Sequence, residues 1–205
     1  MTRFAARCAA LLAALLIIGF VSLPASAQQG QRVRGRITAV HGDVLTVKAS
    51  DGRILTIALD PDATVTRIDP AKLSAIKPGR FVGTAARPEP NNRWRAIEVH
   101  IFPAGARLGE GHRPWDPEPG ATMTNADVTA AVVHTRNGAM TLTTGGQSYD
   151  IDVPPGTPIV TMSPGTRKQI VKRAYVSVNN AIPKQDGTLV AKSINVSRDN
   201  KWPPK

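Results

Sequence analysis

The sequence predicts a mainly β protein, and three observations carry that expectation. Short runs of β-branched and other apolar residues alternate with polar ones along most of the chain. Asp-Gly and Gly-Gly steps separate those runs at hairpin spacing. Residues 33–103 and 128–197 also read as two copies of one unit. Leu45-Thr46-Val47, the Asp51-Gly52 turn and Leu55-Thr56-Ile57 recur as Met140-Thr141-Leu142, Gly145-Gly146 and Tyr149-Asp150-Ile151. The close of the unit, Val99-His100-Ile101, recurs as Ile194-Asn195-Val196.

In the first copy, residues 33–40 alternate as a strand with Val33, Ile37 and Ala39 inward and Arg34, Arg36 and Thr38 outward. A tight turn at His41-Gly42-Asp43 leads to a strand over 44–49, and Asp51-Gly52 leads to another over 54–59. Asp60-Pro61-Asp62 is expected to break that strand, with a brief extension over 64–67. A helix of one or two turns is expected over 69–76, with Asp69 as N-cap, Pro70 in the first position and Pro78-Gly79 as the stop. Strands over 80–86 and 94–102 complete the unit, the last with Ile97, Val99 and Ile101 inward and Glu98 and His100 on the opposite face. Five strands with a helix before the fourth predict a small closed barrel of the oligonucleotide/oligosaccharide-binding (OB-like) type, with a short twisted sandwich as the alternative. The second copy predicts strands over 128–134, 139–144, 148–153, 158–162, 174–179 and 189–196, with a counterpart helix over 166–172. The fold expected is therefore two related five-stranded OB-like barrels in tandem, with short helices and a long docked connecting loop. The domain boundaries read as 28–103 and 126–199, with the loop at 104–125 and a tail at 200–205.

Before these units, Arg3 and Arg7 precede an apolar run, 9–23, and Ala25-Ser26-Ala27 offers a small-x-small cleavage site. That order predicts a signal peptide over 1–27 and a periplasmic or secreted protein with no membrane span after cleavage. Cleavage would remove Cys8, the single cysteine, so disulfides and thiol chemistry are excluded from the mature chain. The full chain carries 26 Lys and Arg against 15 Asp and Glu, a net charge of +11; loss of Arg3 and Arg7 leaves 24 against 15, or +9. A basic surface attracts anions, glycans or a membrane face. Nucleic acid is disfavoured as a partner by export and by the scarcity of aromatics for stacking.

The connecting segment, 104–125, has no periodicity, yet it carries Trp115. A free linker rarely holds a tryptophan, so this one is expected to dock on a barrel face. Within it stands Gly109-Glu110-Gly111-His112-Arg113-Pro114-Trp115-Asp116, followed by Met123-Thr124-Asn125-Ala126. With Gly35-Arg36-Ile37-Thr38-Ala39-Val40 and Leu45-Thr46-Val47-Lys48, these motifs make the chain resemble a group of exported bacterial proteins of uncharacterised function. Those proteins carry a short β-barrel domain and a Gly-Glu-Gly-His-x-Pro-Trp-Asp centre. The resemblance spans nearly the whole mature chain and implies fold and export, without an activity.

Two residue sets invite chemistry. Arg34 and Arg36 share a strand face and can fork onto phosphate, sulfate or carboxylate groups, the ordinary alternative being a solvated face with Glu98 or Asp43 as counter-charge; Trp115 is a further ligand-binding candidate. Glu110, His112 and Asp116, with His100 at the end of the fifth strand, offer carboxylate and imidazole donors for a divalent metal such as zinc, nickel or copper. Pro114 and Pro117 prevent His112 and Asp116 from stacking on a helix, and the ordinary alternative is that both serve the loop backbone. His41 and His134 lie near turns and read as solvated. No Gly-x-Ser-x-Gly elbow and no phosphate-cradling glycine loop is present. The expectation is a non-catalytic binding or scaffold protein of the cell envelope, its partner a protein, a glycan or a small anionic ligand. The alternative is a periplasmic metal-binding accessory protein using the His112 loop.

Overall fold

The computed structural model describes residues 29–115, 117–132 and 138–197, and it is mainly β. The hairpins form where the turn chemistry places them. Gly52 adopts φ +89° and donates its N–H to the Ala49 carbonyl, closing β2 (Val44–Ala49) onto β3 (Ile54–Pro70). Gly145 and Gly146, both at positive φ, join β8 (Gly138–Thr144) to β9 (Gln147–Val153), as a two-residue turn matching strand twist requires.

The strands close into two rings. β1 (Gln31–His41), β2, β3, β12 (Leu189–Ser197) and β11 (Tyr175–Pro183) pair in that order and return to β1. β7 (Thr122–Val132), β8, β9, β5 (Arg93–Ile101) and β4 (Phe81–Glu89) form the other ring. All these pairings are antiparallel except β3–β12 and β5–β9. Between the rings, β10 (Ile159–Pro164) pairs antiparallel with the end of β3 and parallel with β5. The rings exchange strands: β11 and β12 complete the ring begun by β1–β3, and β4 and β5 complete the ring begun by β7–β9. The tandem arrangement, in which each copy closes on itself, is therefore corrected by the pairing itself.

Each ring has its own apolar core. Ile37, Leu45, Val47, Ile57, Ile194 and Val196 fill the first; Val82, Val99, Ile101, Leu142 and Ile151 fill the second. The expected inward set Ile37, Leu45, Val47, Ile57, Val99 and Ile101 is buried throughout. Two phase assignments are corrected. A bulge between Ile37 and Ala39 leaves Ala39 half-buried and turns Val40 toward the core. A second bulge skips Ile97, so that Ala96 and Val99 face inward while Ile97 packs outside the ring beside Trp115.

The helix expected over 69–76 shrinks to one 3-10 turn, Leu73–Ala75, with Lys72 rather than Asp69 at its start. Asp69 and Pro70 instead pair with β10 at the end of β3, and a strand partner outcompetes a short helix there. The counterpart turn, Arg167–Gln169, is closed by a Thr166/Gln169 capping box. The break expected at Asp60-Pro61-Asp62 is instead a wide irregularity within one continuous strand. Between the Leu59–Ala191 and Thr64–Ser193 pairs, four residues of β3 oppose one of β12, which frees Pro61 from the ladder. Arg167 donates to the Asp60 and Pro61 carbonyls and pairs with Asp43, pinning that loop.

The connecting segment is more ordered than a loop: β6 (Gly111–Pro114) pairs with β7, which begins inside the segment at Thr122. Trp115 is buried against Ala85 of β4 and Ala121, so it docks on the second ring as its position in the sequence predicts. His134, residues 1–28 and residues 198–205 lie outside the described residues.

Candidate functional site

Where β3 meets β10, the outer faces of the two rings turn toward each other and flank an open cavity of about 560 Å³. Strand alternation decides which side chains reach it. On β3, Val65 points into the first core while Thr64, Thr66 and Ile68 line the cavity. On β10, Ile159 enters the second core while Val160 and Met162 line it. On β5, Val99 and Ile101 are core, and Glu98 and His100 face the cavity. On β1, Arg32 and Arg34 face it between core positions. The volume lies in the usual range for small-molecule sites, and the seam between two closed units is a common place for one.

The polar groups at this seam are unusual. Glu98 is 1% exposed, and its Oε1 lies 3.2 Å from His100 Nε2, while its Oε2 has no hydrogen-bond partner within the protein. Arg34 Nε is also enclosed without a partner, as is Asn125 Oδ1. Burial lowers the Arg34 guanidinium from its ordinary pKa; Glu98 opposes that shift and Arg32 adds to it. Glu98 and Arg34 thus feel each other's charge across the cavity without closing an ion pair. An enclosed charged group with an open valence costs at least 1–3 kcal/mol, roughly, so such groups are rare unless something satisfies them.

Asn125 is held by its own Nδ2, which donates to the Leu108 carbonyl at 2.8 Å and draws the 108–109 backbone over the cavity. Room for it comes from Gly83, its partner across the β4–β7 ladder: a Cβ there would lie 2.6 Å from Asn125 Oδ1.

Three of the residues singled out from sequence, Arg34, His100 and Trp115, line this cavity. Arg36 departs from Arg34: its guanidinium lies 4.4 Å over the Tyr175 ring and donates to the phenol oxygen at 2.6 Å. Glu110 is exposed and sits 3.5 Å from Arg107. His112 stacks on Tyr149 at 4.4 Å, meets Trp94 edge-on at 5.0 Å, and lies 2.8 Å by Nδ1 from Thr124 Oγ1. Asp116 lies outside the described residues. Among the described residues no three His, Cys, Asp or Glu side chains converge, so His100, Glu110 and His112 do not form a metal cluster by themselves.

No family model, curated protein or solved structure matches this chain. The cavity must be read from its own chemistry. Sequence reasoning missed Glu98, Asn125, Ser177 and Asn195 as site residues. A glutamate and a histidine in alternation on a strand face were the available signal, but the ring that covers that face was not foreseeable.

Proposed function

We propose that the chain is an exported, non-catalytic binding protein of the cell envelope that holds a small polar ligand in the seam cavity. The observation that carries this is that Glu98 and Arg34, whose buried Oε2 and Nε have no hydrogen-bond partner, both line one cavity. A bound molecule that supplies their partners converts a cost of folding into binding energy. Non-catalytic binding fits the way the groups are engaged: His100 is taken up by Glu98, and among the described residues no hydroxyl hydrogen-bonds to it. Export is supported by the charge, apolar-run and small-residue order of residues 3–27. The motif centred on Gly109–Trp115 supports kinship with the exported β-barrel proteins it resembles.

The rings support a finer fold reading as well. Their circular order, first–second–third–fifth–fourth strand with the third and fifth parallel, is that of an OB-like barrel, here with its last two strands exchanged between copies.

The test is a thermal-shift screen of small polar metabolites against the wild type and Ser193→Trp, in which an exposed cavity-lining residue is enlarged to fill the space. Compounds that raise the melting temperature of the wild type and leave that variant unmoved support the reading. A screen in which every hit acts equally on both proteins overturns it.

A further inference from the structure

The proposal above concerns a site; its ligand class follows from an asymmetry within the site, and this inference rests on that reading. The ladder pairings match positions between the two copies. Arg34 faces Ser177 as Asn125 faces Gly83. His100 lies between Gly83 and Val160 as Asn195 lies between Ser177 and Thr66. Glu98 and Ser193 stand two residues before that pair. At matched positions, one copy presents Arg34, Glu98 and His100, and the other presents Asn125, Ser193 and Asn195. All six line one cavity. The seam is thus close to symmetric in backbone and polarised in residue type, with Arg34, Glu98 and His100 of one copy, and Arg32 beside them, facing Asn125, Ser193 and Asn195 of the other.

Glu98 and Arg34 have opposite signs and form no ion pair with each other; Glu98 Oε1 meets His100 instead, and Arg32 and Arg113 add further positive charge to the lining. A simple anion meets Arg34 but adds repulsion to the buried Glu98, and a simple cation does the reverse. A neutral sugar brings no cation to Glu98 Oε2 and no anion to Arg34. A dipolar molecule satisfies both: an ammonium donates to Glu98 Oε2 and a carboxylate accepts from Arg34. Ile68, Phe102, Val160 and Met162 make part of the wall apolar. We infer that the cavity recognises a small zwitterion, an α-amino acid with an apolar side chain, through Glu98 and Arg34.

Isothermal titration of the full mature protein tests this, with L-methionine, L-leucine and L-phenylalanine as probes. N-acetyl-L-methionine, which lacks the cation, and L-methioninamide, which lacks the anion, serve as matched controls. The expected result is one-to-one binding of at least one amino acid, with each control weaker by about 10- to 100-fold, the loss of one charge-assisted hydrogen bond. The near-isosteric Glu98→Gln should erase discrimination against the acetylated probe, and Arg34→Gln should erase discrimination against the amide. Circular dichroism and melting curves establish that both variants are folded. If no amino acid binds while sulfate or glucose does, and Ser193→Trp abolishes that binding, the zwitterion inference falls and the cavity remains a site. If nothing in the amino-acid, anion and sugar set binds and the metabolite screen is also empty, both fall.

Discussion

Ile68 and Met162 pair directly at the centre of the β3–β10 ladder, and each occupies the other's place in the two copies. The spacing between them is the one that relates Ile57 to Ile151. Ile57 is flanked by Leu45 and Leu189, as Ile151 is flanked by Met140 and Trp94. On either side of the central pair the register is reciprocal: Thr66 meets Pro164, and Pro70 meets Val160. A local two-fold therefore passes between Ile68 and Met162, and both side chains line the cavity that lies on it. Strand exchange and cavity share a cause, because running β3 and β10 past each other both swaps the last two strands of each copy and turns the outer faces together.

Exchange has a direct mechanical consequence. The turn at Pro103–Ala106, closed by an Ala106 N–H to Pro103 carbonyl bond with Ala104 and Gly105 exposed, joins fragments that each lack strands of both rings. A protease site inserted at Gly105 should be cut without separating the halves, which should co-elute on size exclusion and part only in denaturant. Separation under native conditions would show that each half closes alone.

Trp115 anchors the connecting segment on Ala85 and Ala121 and is 7% exposed. Trp115→Ala should cost about 3–5 kcal/mol of unfolding free energy in urea titrations, the range for a large buried aromatic. A change within a few tenths would mean that the indole contributes no packing.

The close approach at Gly83 gives a selective probe of the cavity roof. Gly83→Ala should push Asn125 aside, break its bond to the Leu108 carbonyl and speed amide exchange over 108–111, while the core of the first ring keeps its protection. Unchanged exchange over 108–111 would contradict the link from Gly83 through Asn125 to the roof.

The pH response is set in part by His112. Burial against Tyr149 and Trp94 depresses its imidazole below the ordinary value of 6.5. A histidine held neutral in the fold takes up its proton more readily once unfolded. Its contribution to stability is therefore present above 6.5 and is lost as pH falls through the depressed value. An NMR titration should place the His112 midpoint below that of a model imidazole, and His112→Gln should flatten the decline in stability on the acidic side. A midpoint above 6.5 would reverse the sign.

The alternation of the strands made the cores legible: Leu45, Val47, Ile57, Val99 and Ile101 are all fully buried where period two places them. The bulges at Thr38 and Ile97 were not legible, because one extra residue leaves no mark in a pattern of apolar and polar letters. The exchange was hidden for a related reason. The closing strands of the two copies present similar apolar faces, Val99 and Ile101 in one and Ile194 and Val196 in the other, so the same pattern suits a ring closed by either. Arg34 and His100 were found because charge on a strand is conspicuous. Glu98 was seen and misread, since its burial comes from a second ring that only the exchange brings near.

Native mass spectrometry on the mature protein, incubated in a small-molecule extract of its host and desalted gently, tests the seam cavity as a ligand site most directly. The account predicts a one-to-one adduct of small mass on the wild type that is absent from Ser193→Trp and reduced in Glu98→Gln. A wild-type mass equal to the bare chain after every incubation, or an adduct that persists unchanged on Ser193→Trp, would contradict it.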